Sequence, residues 1–176
     1  MCEYCGCQQI ATIAELYSEH DAVVAHVGQI QSALAGQRRE DVASSCQQIL
    51  AILAPHTVVE EEGLFPEMTH EFPDHIQVLR SEHREIEKVL GEAAGGFPDD
   101  PTWPHRLLGV LHMLRDHILK EQDGVFPAAL AALDADQWGR IEAVRAQVSL
   151  APTALAPKTS AATSAATSAS IERNPG

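Results

Sequence analysis

Residues 56–66 read HTVVEEEGLFP, and residues 117–127 read HILKEQDGVFP. Both are H-x3-E-x2-G-[LV]-F-P, so His56, Glu60, Gly63, Phe65 and Pro66 recur as His117, Glu121, Gly124, Phe126 and Pro127. Upstream, SEHDAV at 18–23 is matched by SEHREI at 81–86, which pairs Ser18, Glu19 and His20 with Ser81, Glu82 and His83. From His20 to His56 is 36 residues and from His83 to His117 is 34. The chain therefore reads as two copies of one unit, each supplying a lone histidine and then a His/Glu pair.

The spacing acquires meaning on a helix, where residues four apart differ by about 40° in rotation and about 6 Å along the axis. Both members of H-x3-E then point the same way. Hydrophobic periodicity supplies the helices. Ile13, Leu16, Val23, Val27, Ile30 and Leu34 predict a first helix over 9–34, closed by Gly36. Ile49, Ile52 and Leu53 predict a second over 39–62, with Gly63 as its stop and a kink or local break at Pro55, just before His56. Phe72-Pro73 opens a third through Ile76, Leu79, Ile86 and Leu90, ended by Gly95-Gly96. Leu107, Leu111, Leu114 and Ile118 predict a fourth over 104–123.

After Pro127 the expectation is an Ala/Leu-rich turn, then Asp134 as N-cap of a shorter helix over 134–148 carrying Trp138, Ile141 and Val144 across one end of the bundle. The alternation of strands is nowhere sustained. The fold class is all-α: an antiparallel up-down-up-down four-helix bundle with a short fifth C-terminal helix. The organisation that follows is a Cys-rich segment at 1–8, the bundle at 9–130, the accessory helix at 131–150 and a tail at 151–176. That tail is Ala, Ser, Thr and Pro with too little apolar surface to offset its ordering entropy, so disorder is expected there.

A length of 176 residues with 45% hydrophobic content fits one domain with a sizeable core. The net charge of −13 repels a phosphate backbone or an anionic bilayer, which argues against nucleic-acid and membrane partners. No unbroken run reaches the roughly 18 to 20 apolar residues of a membrane span. MCEYCGCQQI lacks the basic-then-apolar pattern of a secretory leader. The expected location is cytoplasmic, where Cys2, Cys5, Cys7 and Cys46 are thiols or metal ligands rather than disulfides.

His56, Glu60, His117 and Glu121 can aim inward from two helices, and His20 and His83, one on each remaining helix, complete a ring from four walls. Four imidazoles and two carboxylates suit iron or manganese better than structural zinc, which takes four ligands and favours thiolates. Six ligands fit two metals bridged by both carboxylates. A lone H-x3-E is commonly structural, and Glu60-Glu61-Glu62 alone reads as a solvated helix end opposed by the helix dipole. Duplication with Gly, Phe and Pro at matching offsets favours the metal.

His112 and Asp116 form a competing pair, but five residues of offset turn it about 140° from the His117/Glu121 face. Glu87 is either an extra ligand, an acceptor behind one, or an exposed partner for Arg84 or Lys88. Tyr17, one turn from His20, either hydrogen-bonds into the site or packs with its hydroxyl at the rim. Phe65 and Phe126 are read as packing the helix ends and keeping water from the metals. His26, His70, His75 and His105 have no repeat counterpart and are read as surface or structural. Cys2-x2-Cys5-x-Cys7 offers a zinc or redox site that lacks a local fourth ligand.

The ordered set H…HxxxE…H…HxxxE, carried by His20, His56, Glu60, His83, His117 and Glu121, resembles the hemerythrin-like family, the HHE cation-binding domains, over about residues 10–130. The resemblance implies a non-haem di-iron centre: two iron ions bridged by Glu60 and Glu121 and by a solvent-derived oxo or hydroxo group. It also implies O2, peroxide or nitric oxide at an open coordination position, and a redox partner. The oxygen carriers of marine invertebrates differ, with paired histidines on the third helix and H-x4-D on the fourth. The present set is more similar to bacterial hemerythrin-like proteins linked to peroxide or nitric oxide handling, and to the iron- and oxygen-sensing hemerythrin domain of a eukaryotic ubiquitin-ligase subunit. An iron or redox sensor without turnover is the alternative reading.

Overall fold

A computed structural model describes residues 10–150. Cys2, Cys5 and Cys7, read as a zinc or redox site, and the tail from residue 151, read as disordered, lie outside the described residues. Helix α1 spans Ala11–Ala35 and buries Ile13, Leu16, His20, Val23, Val27 and Ile30, the three- and four-residue steps of one helical face. Helix α2, Arg39–Val58, continues without interruption through a π-helical turn, Val59–Leu64, into a short α3, Phe65–Met68. After a tight turn comes α4, Pro73–Gly91. Helix α5, Trp103–Lys120, continues in the same way through a π turn, Glu121–Val125, into α6, Phe126–Ala132. Helix α7, Ala135–Leu150, ends the described chain. Contacts of α1 with α2, α2 with α4, α4 with α5 and α5 with α1 close the four long elements into a bundle.

Three sequence expectations require correction. Gly63 does not stop the second helix, and the chain stays α-helical through Pro55; the departure from α geometry comes after His56, not before it. The residues after Pro127 are likewise helical rather than a turn. Helix α1 does close at Gly36, and the residue after it, Gln37, takes the left-handed φ of 57°. Arg38 N–H closes onto Ala33 O at 2.9 Å, the six-to-one bond of a Schellman ending.

The π turns explain the shared E-x2-G-[LV]-F-P words. In each copy the phenylalanine N–H reaches five residues back, Phe65 to Glu60 O and Phe126 to Glu121 O. The following proline has no N–H, so in that register the carbonyls of Glu61 and Gln122 lose their backbone donor. Side chains from neighbouring helices replace it: Arg80 Nη2 donates to Glu61 O at 3.0 Å, and the Tyr17 hydroxyl donates to Gln122 O at 3.0 Å. Tyr17 and Arg80 hold the same place in the repeat, three residues before His20 and His83.

The continuous 30-residue helix Arg39–Met68 is long and apolar enough, by length and composition, to cross a membrane. Polar residues interspersed along it mean that it contains no unbroken apolar run. Its buried side carries His56 and Glu60 into the bundle interior, as a core helix does.

The interior has two apolar clusters. One gathers Val27, Ile30, Ile49, Leu53, Ile86, Leu90, Trp103 and Leu111. The other gathers Ile13, Leu16, Leu64, Phe65, Leu79, Phe126, Trp138 and Ile141. Between them lies the only buried charged layer among the described residues: His20, His56, Glu60, His83, His117 and Glu121.

Helix α7 begins with a reciprocal cap, Gln137 N–H to Asp134 Oδ1 at 2.9 Å and Asp134 N–H to Gln137 Oε1 at 3.0 Å. It lies against the first π turn, where a β-carbon on Gly63 would sit 3.5 Å from Ile141 Cα and 3.6 Å from Val144 Cβ. Gly63 is therefore a packing residue, whereas its repeat partner Gly124 has nothing within 4 Å of that position. Gly63→Leu should lower stability by about 1–3 kcal/mol through displacement of α7. Gly124→Leu should stay within about 0.5 kcal/mol. Paired denaturant titrations decide it; equal costs would show that α7 does not set the requirement at Gly63.

Candidate metal centre

The H-x3-E pairs deliver imidazole and carboxylate from the last α turn and the first π turn of each long helix. His20 descends from α1 and His83 from α4, one layer inside Leu16 and Leu79. All six residues are at most 4% exposed. They form two groups, His20 with His56 and His83 with His117, each completed by the same two carboxylates, Glu60 and Glu121. Within each group the donor atoms lie within 4.8 Å of one another. The structure thus brings together all six residues that the repeat singled out.

The Nε2 atoms converge. His20 Nε2 is 3.1 Å from His56 Nε2 and 3.2 Å from Glu121 Oε2. His56 Nε2 and His83 Nε2 are each 3.3 Å from Glu60 Oε2, and His117 Nε2 is 2.9 Å from Glu121 Oε1. Each ring is held from behind through Nδ1. His56 meets Glu19 Oε2 at 2.8 Å, His117 meets Glu82 Oε2 at 2.9 Å, His83 meets Glu61 Oε1 at 2.9 Å, and His20 meets the Gln122 amide at 3.3 Å. Phe126 and Phe65 stack on His20 and His83 at 5.7 Å and 11°. The phenylalanines therefore lie along continuous helices against the rings, rather than at helix ends.

The sequence words contained these supports, yet the roles of Glu19, Glu82, Glu61 and Gln122 were not recognised. The clue was present: Glu19 and Glu82 recur beside the lone histidines. Their targets, however, lie on other helices. The three consecutive glutamates also separate, since Glu60 is fully buried, Glu61 is half-buried and Glu62 is exposed.

Burial acts to raise the carboxyl pKa of Glu19 and Glu82, and hydrogen bonds outweigh it: His56 and Arg145 for Glu19, Lys120 and His117 for Glu82. Both therefore sit below the usual carboxylate range. An ionised carboxylate only accepts, so the ring proton of a neutral His56 or His117 resides on Nδ1 and a lone pair faces inward from Nε2. The inward Nε2 atoms of these two rings are then acceptors, as are the carboxylate oxygens beside them. Both oxygens of Glu60 and Glu121, with His83 Nε2 and His117 Nε2, are buried without a hydrogen-bond partner. A convergent set of lone pairs in a dry interior fits a cation, and the mixed nitrogen and oxygen donors fit iron.

Without a metal, protons must supply the positive charge. Burial alone would depress His56, but the Glu60 charge and the Glu19 hydrogen bond push it up to about 10. Burial likewise opposes His117, which the Glu121 charge pushes up to about 9. Burial raises Glu60, yet the His56 charge holds it well below its ordinary value.

Beside the imidazoles, on the side lined by neither Glu60 nor Glu121, is a cavity of about 10 Å³ walled by Leu53, Ile86, Leu114 and Ile118. Thr57 and Glu87 line it together with His20, His56, His83 and His117. Glu87 is exposed and belongs to neither donor group. Tyr17 bonds the Gln122 carbonyl and sets its ring edge-on to Phe126, 5.4 Å between centroids. His112 and Asp116 face solvent, and His70, His75 and His105 are exposed, while His26 is half-buried against Gln29. Cys46 is a buried thiol pushed up to about 12 by burial.

Fold and site together define a helical bundle with two buried His2Glu2 groups that share their carboxylates and can hold cations. Residues 11–129 match the hemerythrin HHE cation binding domain, and the chain belongs to that family. No curated protein and no solved structure matches the chain.

Removing the supporting carboxylate by Glu19→Ala or Glu82→Ala should weaken metal retention by about 10–100-fold with helicity intact. Chelator competition measures this, and unchanged retention would deny those residues the role. The metal-free protein should also lose stability at alkaline pH. Histidines with folded pKa values raised above the unfolded value of about 6.5 contribute fully below that pH and lose the contribution as pH climbs through 9 to 10. Its Tm should therefore fall from pH 7 to 10 while that of the metal-loaded protein holds steady. A flat Tm for the stripped protein would contradict the proton-for-cation substitution.

Proposed function

We propose that this chain is a non-haem di-iron protein that binds O2 or reacts with peroxide or nitric oxide, with His20, His56, Glu60, His83, His117 and Glu121 as the iron ligands. The supporting observation is the pair of donor groups sharing Glu60 and Glu121, set beside a cavity with room for about one water-sized ligand. Iron supplies, when bound, an open coordination position and one-electron redox chemistry. The chain supplies the rest. Glu60 and Glu121, common to both donor groups, would be shared by the two ions; Glu19, Glu82 and Glu61 accept from Nδ1 of His56, His117 and His83 so that Nε2 would be free to coordinate. Leu53, Ile86, Leu114 and Ile118 restrict the cavity to small ligands and limit water. The reading includes a cytoplasmic location and a redox partner that returns electrons.

A second reading, a sensor without turnover, has one observation in its favour. Arg145 of α7, beyond the matched family region, ion-pairs with Glu19, the carboxylate behind His56. A change at His56 is thereby linked to an element outside the four-helix core.

Metal analysis of protein purified without added metal should give about two irons per chain, the number the two donor groups hold. Glu60→Ala combined with Glu121→Ala should abolish binding. Addition of O2, peroxide or nitric oxide to the reduced protein should then alter its optical spectrum. Consumption of many equivalents of peroxide per chain favours catalysis, and a change in α7 protection without consumption favours sensing. A site filled only by zinc, or empty after anaerobic iron reconstitution, would defeat the redox reading.

A further inference from the structure

The two halves of the site correspond residue for residue, with one difference in charge among the groups that hold the rings. Behind His56 and His117 stand carboxylates, Glu19 and Glu82, at 2.8 and 2.9 Å. Each is in turn paired with a cation, Arg145 or Lys120. Behind His83 stands the Glu61 carboxylate at 2.9 Å; behind His20, in the equivalent place, stands the Gln122 amide at 3.3 Å. The shorter contact is the one to the charged group, as expected of a charge-assisted hydrogen bond.

The surroundings of positions 61 and 122 otherwise correspond in place, with the Arg80 guanidinium at the first and the neutral Tyr17 hydroxyl at the second. Each residue follows a shared carboxylate in a π turn, and each main-chain carbonyl accepts a side-chain donor. A phenylalanine stacks on each histidine at the same 5.7 Å and 11°. Glutamate and glutamine are nearly isosteric, so the contrast is one of charge and not of shape.

We propose that Gln122 makes the two metal positions inequivalent, so that the His83/His117 position holds its cation more tightly than the His20/His56 position. The inference rests on the two-metal reading above. A carboxylate accepting the Nδ1 proton increases electron density at Nε2 and adds negative charge nearby; an amide oxygen does less of both. The atom 3.3 Å from His20 Nδ1 is the Gln122 amide nitrogen, which donates to that ring nitrogen; with Nε2 directed at a cation, Nδ1 carries the ring proton instead and the Gln122 amide turns over to present its oxygen. Two carboxylates therefore back the rings of one position, and one carboxylate with one amide backs those of the other.

The test uses full-length protein loaded anaerobically with two ferrous ions per chain and challenged with increasing chelator. Two ions should leave in two steps separated by about tenfold or more in chelator activity, the size of effect such supporting groups exert. Gln122→Glu should move the weaker step toward the tighter until they merge. Glu61→Gln should merge them in the opposite direction, by weakening the tighter step, and the double exchange should restore two steps. Circular dichroism verifies the fold in each case. Two ions leaving wild-type protein in a single step, or steps unmoved by Gln122→Glu, would overturn the inequivalence and leave the two-metal reading standing. Fewer than two ions per loaded chain would overturn both.

Discussion

Six acceptor-rich side chains sealed between two apolar clusters form the constraint on which this bundle depends. Buried lone pairs cannot be left facing one another, because in a dry interior they lose water and gain nothing in return. Positive charge must therefore enter the layer, as metal ions or as protons on His56 and His117. The elevated imidazole pKa values and the depressed Glu60 value express the same demand from opposite sides. A cation bound there would contribute to the bundle's folding energetics, because it would satisfy acceptors that the fold buries.

Placing two carboxylates in that layer requires a local departure from α geometry. Each π turn begins at or beside the inward glutamate, and the proline that follows frees a carbonyl. Tyr17 and Arg80 take up those carbonyls from the helices that also carry His20 and His83. The bracing is crossed: the histidine helix of one copy is held by the π turn of the other. His20 meets Gln122 and Phe126, and His83 meets Glu61 and Phe65. Neither copy completes its half of the site alone.

On this two-fold frame sit features that break it. Helix α7 covers the first π turn through Gly63 and reaches Glu19 through Arg145, with no equivalent beside Gly124. Glutamine replaces glutamate at position 122. Both differences fall behind the inward groups and leave the six converging side chains in place.

The six converging residues were legible in the sequence because duplication makes coincidence improbable, and the helices were legible because apolar periodicity is local. The cap at Asp134 was legible for the same reason. The π turns were not: H-x3-E brings both side chains to one face in α geometry, and nothing in a single helix reveals that the hydrogen-bond ladder changes register at the glutamate. Gly63 read as a stop because a glycine after an apolar run usually ends a helix; here its small size serves contact with Ile141, which only packing discloses. The words SEH and EEE showed Glu19, Glu82 and Glu61 without showing their targets, since His56, His117 and His83 reach them across helix boundaries. Spacing along one helix fixes which side chains share a face. The choice of partner depends on how neighbouring helices are rotated and set in height against each other, and that is decided by burying both apolar clusters at once.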